Sequence, residues 1–340
     1  MILRPGDQHY RPIEWDDAYR LIAEHLNGLA SPPDEAVFYT SGRTSNEAAF
    51  LYQLLVRSFG TNNLPDCSNM CHESSGTALI DAIGVGKGSV TVDDIEHADV
   101  IVIAGQNPGT NHPRMLYVLE KAKKANGAKK IIAVNPLPEA GLIRFKDPQK
   151  VHGGVVGHGV PIADEFVQIR LGGDLALFKG LGRLLVEADD RSPGSVIDRD
   201  FIAAHCHGFD EYLAQARTVD LDTVTEATGI ARPQLDRVAG MLAASQRTIV
   251  CWAMGITQHT HAVATISEMT NLLFLRGMIG KPGAGGMPGA WAFQCSGRPH
   301  DGGDLGESSR DVPGRSRRPI RHRQSTPAWF RHRGRDPGDA

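Results

Sequence analysis

Residues 99–113 read DVIVIAGQNPGTNHP. The run from Val100 to Ala104 is apolar at every position and mostly β-branched, and Gly105 stops it. A strand with one wet face would alternate; an unbroken apolar run of this length reads as a strand buried on both faces, as in a parallel sheet. After it come small residues and amides, and then HPRMLYVLEKAKKANG (112–127), which has helical spacing. Strand, small-residue loop and helix in that order make one βα unit. In open α/β sheets the loop at the carboxyl end of such a strand is where ligands bind. Gln106, Asn107, Thr110 and Asn111 are the polar groups there, suited to phosphates or to the edge of a heterocycle.

Working outward, AVFYTSG (36–42), KKIIAVN (129–135) and TIVCWAMG (248–255) read as further strands of this kind. Between them EWDDAYRLIAEHLNGL (14–29), TSNEAAFLYQLLVRSFG (44–60) and QLDRVAGMLAAS (234–245) have helical periodicity. Thr223 and Glu226 have capping-box spacing for a short helix, Gly229 is placed to end it, and Pro233 to open the next. The alternation predicts an α/β fold with a parallel, Rossmann-like sheet. Three more strand-to-helix junctions resemble the first: VNPLP (134–138), IRLGGDLALFKGL (169–181), whose helix starts at Asp174, and Met254 to His259 within WAMGITQHT. An acidic side chain such as Asp174 can accept the amino and imino hydrogens of a guanine. Each junction alone is ordinary turn chemistry; four in one chain point to a large, multi-phosphate cofactor. No GxGxxG or P-loop is present, so ordinary nicotinamide or P-loop chemistry is not indicated.

A different stretch carries the reactive groups. In DCSNMCHESSG (66–76), read as a loop, Cys71 stands directly beside His72. A thiolate is a soft metal ligand and a strong nucleophile, and a neighbouring imidazolium lowers its pKa. Three readings stand on these residues: a metal ligand, a nucleophile with a histidine base, or a packed, inert cysteine. Cys67, four residues earlier, also has the spacing for a redox pair.

Composition bounds the rest. The chain has 340 residues, 41% hydrophobic, with a formal net charge of −3, which favours neither a nucleic acid nor a membrane surface as partner. No apolar signal core opens it and no apolar run approaches a bilayer span. Five irregularly spaced cysteines make no disulfide framework, and a cytoplasmic, reducing location is expected. From residue 286 to 340 there are ten arginines, no lysine, and only Leu305, Val312 and Ile320 as branched aliphatics. Such a segment cannot bury enough apolar surface to offset its ordering entropy and is expected to be a disordered tail. Basic residues of that kind also suit nucleic acid, the less favoured reading.

SNMCHESSG, GQNPGTNHPRML, LGGDLALFKGL and MGITQHTHAVATISEMTNLLFLRGMIGKPGAG together resemble the molybdopterin-dependent oxidoreductases, in particular formate dehydrogenase-like alpha subunits, in their order and spacing over nearly all of residues 1–285. The resemblance implies that Cys71 ligates molybdenum and that His72 relays a proton beside it. It implies two molybdopterin guanine dinucleotides lying across the strand-end loops. The matching positions here are Gly105, Gln106, Asn107, Asn111, His112, Asn135, Gly172, Gly173, Asp174, Met254, Gly255, Thr257 and Gln258. It further implies formate or a similar small molecule as substrate, with an electron-transfer subunit as a possible partner. The expected organisation is a first α/β segment (1–90) with the Cys71–His72 loop, a Rossmann-like dinucleotide-binding region (91–285) and the tail (286–340).

Three departures qualify it. The family's N-terminal cysteine cluster for a 4Fe-4S centre has no counterpart, since no cysteine precedes Cys67. Family chains are much longer and end in a domain that caps the pterins. Finally, GMPGAWAFQCSGRPHDGG stands where the family has a motif like CPVRGHSNVQGDRTMG, whose arginine assists substrate. Codons for residues 287–303 read one base later can spell that motif, with the glycine at Trp291–Ala292 forced. This points to a frameshift near Gly286, in the gene or its sequence record, with the tail as out-of-frame translation. The chain is then a fragment of a molybdenum oxidoreductase and its own activity is doubtful. The rival readings are a thiol hydrolase with Cys71 as nucleophile and His112 as base, and an inert truncated product.

Overall fold

The computed structural model describes residues 1–40, 44–65, 67–127, 129–149, 158–289 and 331–332. The chain divides into two compact units, Met1–Cys71 and His72–Ala340.

In the first unit the expected helices form as α1 (Trp15–Asn27) and α3 (Asn46–Phe59), with a single turn, α2 (Pro32–Glu35), between them. Ser45 caps α3 by accepting from Ala48 N at 3.2 Å, and Gly60 closes it with φ +98°. Among the described residues the strand expected at 36–42 forms no strand of a sheet, although Thr40 makes an isolated bridge. Phe38 N donates to Asn63 O at 3.0 Å and Asn63 Nδ2 to Ala36 O at 2.9 Å, so local partners hold the run. Ala36 and Phe38 pack with Val56 in a small core, while Val37 and Tyr39 face outward. Residues 41–42 of that run lie outside the described residues.

Helix α4 (Cys67–Ile83) leads into the second unit, followed by α5 (Val92–His97). Strand β1 (Val100–Ala104) is followed by α6 (Pro108–Asn111) and α7 (Pro113–Ala125), and β2 (Lys130–Asn135) by α8 (Ala140–Ile143). Next come β3 (Glu165–Gln168), α9 (Asp174–Arg191), α10 (Arg199–His205), β4 (Cys206–His207) and α11 (Phe209–Arg217). The unit continues with α12 (Leu221–Thr228), α13 (Arg232–Ala244), β5 (Thr248–Trp252), α14 (Met254–Thr257), α15 (Ala262–Leu275) and β6 (Gly285–Pro288). One five-stranded sheet has the order β3-β2-β1-β5-β6, every pairing parallel. A two-residue β7 (Arg331–His332) pairs antiparallel with β4; the rest of the expected tail from residue 290 lies outside the described residues.

All five residues of β1 are buried, as the continuous run requires. Val100, Val102 and Ala104 face a core built with α9, α13 and α15; Ile101 and Ile103 face a second one built with α5 and α7. Helices on both faces of a parallel sheet make the three-layer α/β arrangement expected. The pattern runs a few residues past 285, because β6 adds an edge strand on β5 and buries Met287. At α12 the cap is Asp220, which accepts from Asp222 N at 3.4 Å and Thr223 N at 3.0 Å, and not the Thr223–Glu226 box. Asp is the stronger cap, and it occupies Thr223's hydroxyl as well.

Candidate functional site

The chain leaves β1 for β2 and β3 on one side, then returns to β5 on the other. The strand order therefore reverses between β1 and β5, and their carboxyl ends form the topological switch point where doubly wound sheets bind ligands. The backbone there is unusually close. A Cβ on Gly105 would lie 2.7 Å from Gly255 C, and one on Gly255 2.6 Å from Gly105 Cα. Gly255 N donates to Gly105 O at 3.0 Å, and Gly105, with φ +57°, donates to Val134 O at 2.9 Å. Only glycine permits these two loops to meet.

Around this crossing the first predicted junction is brought together. Gln106 is 2% exposed; its Nε2 donates to Met115 Sδ at 3.4 Å, and its Oε1 has no hydrogen-bond partner among the described residues. A buried amide oxygen left open is a costly feature in a folded protein and marks a place for a donor. Asn135, at the end of β2, donates through Nδ2 to Gln106 O at 3.0 Å and so holds that loop. Asn107 caps α6 by accepting from Thr110 N at 3.1 Å and donates to Glu139, which binds the first junction to the second. Asn111 is exposed and His112 half-buried. Gly289, just beyond β6, lies against Gln106: a Cβ there would be 2.7 Å from Nε2.

The third junction follows β3, two strands away from β1. Gly172 has φ +82°, and Gly173 packs where a Cβ would lie 3.0 Å from Thr228 Cα. Asp174 opens α9; burial raises its carboxyl pKa, and the charge of His259 pulls it back. That charge interaction connects the third junction with the fourth. In the fourth, Met254, Gly255 and Gln258 are exposed and Thr257 is buried.

Cys71 and His72 lie in helix α4 and not in a loop. Weak helix formers such as Cys, Ser and Asn crowd its first turns, which hid it in the sequence. The second unit secures the helix by two hydroxyls that sequence reasoning passed over. Ser74 Oγ donates to Thr257 O at 3.1 Å, and Ser75 Oγ accepts from Trp252 Nε1 at 2.9 Å. Ser75 also bonds His72 Nδ1 at 3.3 Å. His72, 6% exposed, is thus fixed at the carboxyl end of β5, and Cys71 is the preceding residue of the same helix. Burial, helped by the charge of His112, lowers the His72 pKa to about 4, so the ring is neutral at pH 7. The available signal was Trp252, a large indole ending a strand of smaller side chains.

Among the described residues, Cys206 and Cys251 are not part of this site. Cys206 and Cys251 are buried in separate cores, and burial pushes the Cys251 thiol well above its usual range. Among the described residues no three His, Cys, Asp or Glu side chains converge as a metal cage. Nor is any helix among them long and apolar enough to cross a membrane.

Comparison with known proteins agrees with this geometry. Residues 2–311 match the family model of molybdopterin oxidoreductases. An uncharacterized oxidoreductase of Mycobacterium tuberculosis is 78% identical over 288 residues, 85% of this chain and 36% of its own length. The protein YdeP of Escherichia coli is 46% identical, over 82% of this chain and 37% of its own. Formate dehydrogenase H of Escherichia coli is 28% identical over 85% of this chain and 37% of its own. In fold the chain is similar to acetylene hydratase from Pelobacter acetylenicus, with a TM-score of 0.58 at 21% identity, over 82% of this chain and 35% of that one. It spans little more than a third of the length of these relatives. A parallel sheet with ligand-ready loops at its switch point, and a family match along most of its length, make this chain a member of the molybdopterin oxidoreductase family.

Proposed function

We propose that this chain is the cofactor-cradling part of a molybdenum enzyme that oxidises formate or a similarly small substrate. The observation that supports it is the switch-point cradle: two glycines in backbone contact, the open oxygen of buried Gln106, and His72 anchored at the same strand end. These features fit a flat, polar, phosphate-bearing group. The glycines leave backbone close to it, and Gln106 Oε1 is a ready acceptor for a ring N–H. Asn107 and Asn111, in the loop region after β1, are the polar groups this reading gives to the phosphates, and Asp174 has the chemistry for a guanine edge. This rests on molybdopterin guanine dinucleotide as the form bound.

The bound cofactor supplies a two-electron redox centre, so that HCOO⁻ gives CO₂, one proton and two electrons. The chain's own residues supply the remainder. Cys71, as thiolate, is a soft donor suited to a soft, sulfur-rich metal site. His72, neutral at pH 7, is available to the released proton. The electrons leave to an acceptor or partner subunit. The family assignment favours this reading of Cys71 over that of a hydrolytic nucleophile.

The test begins with the gene. Shifting the frame by one base near codon 286 is expected to open a long frame carrying RGHSNVQGD. The protein expressed from it is expected to contain molybdenum or tungsten with pterin and to reduce a dye when given formate. In Cys71→Ser turnover is abolished while much of the pterin stays bound, because many separate loop contacts hold the dinucleotides. Undiminished formate oxidation in that variant, or an active protein without either metal, overturns the proposal.

A further inference from the structure

We infer that Ser75 and Trp252 are positioning residues that fix which nitrogen of His72 carries its proton, holding the ring as a hydrogen-bond donor through Nε2. The inference rests on the site read above and on a count of donors and acceptors. Ser75 is 1% exposed, and its hydroxyl has two partners among the described residues, Trp252 Nε1 at 2.9 Å and His72 Nδ1 at 3.3 Å. An indole N–H only donates. It therefore occupies a lone pair of Ser75 Oγ and can take nothing from the hydroxyl. A buried O–H is expected to find an acceptor, and His72 Nδ1 is the one that the described residues offer it. The chain of bonds runs in one direction, Trp252 N–H to Ser75 O–H to His72 Nδ1, and each link polarises the next. With Nδ1 accepting, a neutral ring has its proton on Nε2. Nε2 itself meets no partner among the described residues.

The helix makes the arrangement possible. His72 and Ser75 are three residues apart, on one face of α4, and Ser74 ties the adjoining turn to Thr257 O at 3.1 Å. The ring cannot exchange its nitrogens without breaking the bond to Ser75. The consequence is a preference for ligands. A resting Nε2–H offers a donor, so the site recognises a negatively charged or carbonyl oxygen, such as that of a small carboxylate. Nε2 already carries a hydrogen in this tautomer, so it can accept a proton only after the ring has become the Nδ1–H form, with Ser75 turned to accept from Nδ1.

The tautomer is read directly by ¹⁵N-histidine NMR of the purified chain at pH 7, with His72→Gln identifying the signal. The expected spectrum has a protonated, pyrrole-type Nε2 and a pyridine-type Nδ1. Ser75→Thr, which keeps the hydroxyl, retains it. Ser75→Asp supplies an acceptor-only carboxylate and inverts it, so that the proton moves to Nδ1. A wild-type ring protonated at Nδ1 overturns the inference, as does an unchanged tautomer in folded Ser75→Asp. If Ser75→Asp does not fold, the wild-type and Ser75→Thr spectra still decide. The outcome is separable from the proposed function: a protein with this tautomer that binds no molybdenum or tungsten loses the reading of the site and keeps the inference.

Discussion

Two segments of this chain look alike as sequence and fold differently: AVFYTSG at 36–42 and DVIVIAG at 99–105. Both are short, β-branched and closed by glycine. The second becomes β1, the central strand, with all five residues buried and parallel neighbours on both sides. The first forms no strand of a sheet among the described residues, burying Ala36 and Phe38 and leaving Val37 62% and Tyr39 50% exposed. The runs differ in what surrounds them. Ile101 and Ile103 have helices α5 and α7 over them, whereas among the described residues Phe38 shares a small cluster with Ala36, Val56 and partly buried neighbours such as Tyr52 and Phe59. A β-forming run specifies extension; only the elements brought by the rest of the chain make it a sheet.

The largest expected effect is where the β1 segment ends. Gly105→Val places a branched side chain at φ +57° and against backbone of Gly255, which cannot move aside. A loss above about 4 kcal/mol is expected, enough to remove the folded second unit. The corresponding glycine of the other segment, Gly42, lies outside the described residues. If Gly105→Val unfolds in urea at the wild-type midpoint, the loop crossing is not a structural requirement.

A smaller pair sharpens the same contrast. Ile103→Ala removes a fully buried side chain from the double-covered strand and is expected to cost about 2–5 kcal/mol. Phe38→Ala deletes a larger group but leaves a shallower hole; its ring is 5.6 Å from Phe59 and 6.2 Å from Tyr52, at a site 9% exposed. Its cost is expected to stay below about 3 kcal/mol. Urea titrations showing Phe38→Ala as the more damaging of the two would mean that the small core carries more stability than its few contacts indicate.

The same contrast explains what the sequence disclosed. Three of the four predicted strands formed, at 100–104, 130–135 and 248–252, because an unbroken β-branched run has few other places to go. Helices α1, α3, α7 and α13 followed their periodicity. The strand order was not legible, since it depends on which helices cover which face, and neither was β6, whose Gly-Gly-Met-Pro has no β-forming character. At the site, the junction loops were visible as small residues after strands. The helix carrying His72 was not, because Ser74 and Ser75 act through Thr257 and Trp252, more than 170 residues away in the chain. A bond of that span leaves no local pattern.

The smallest effect lies at the start of the β1 segment, at Asp99. Its backbone N–H donates to Arg247 O at 2.8 Å and its O accepts from Lys130 N at 2.9 Å, so it starts three neighbouring strands together. Its carboxylate bonds Arg247 Nη2 at 2.8 Å and Gln246 N at 3.2 Å. Burial raises the carboxyl's pKa; the hydrogen bond and charge of Arg247, with the backbone N–H groups, outweigh it and leave the pKa below its ordinary value of 3.8. A depressed carboxylate pKa gives stability that is present above 3.8 and is lost as pH falls through the lower folded-state value. Asp99→Asn lacks that contribution at every pH. Because the pair is partly exposed and screened, the difference at pH 7 is expected to be under about 1 kcal/mol and to shrink further in molar salt. The two proteins should therefore differ slightly in urea midpoint at pH 7 and converge once the pH has fallen below the folded-state value, which lies under 3.8, since the protonated carboxyl of the wild type and the amide of the variant are then both uncharged. A gap that persists unchanged into acid would show that Asp99 acts through its backbone bonds and shape, and that the strand start owes nothing to its charge.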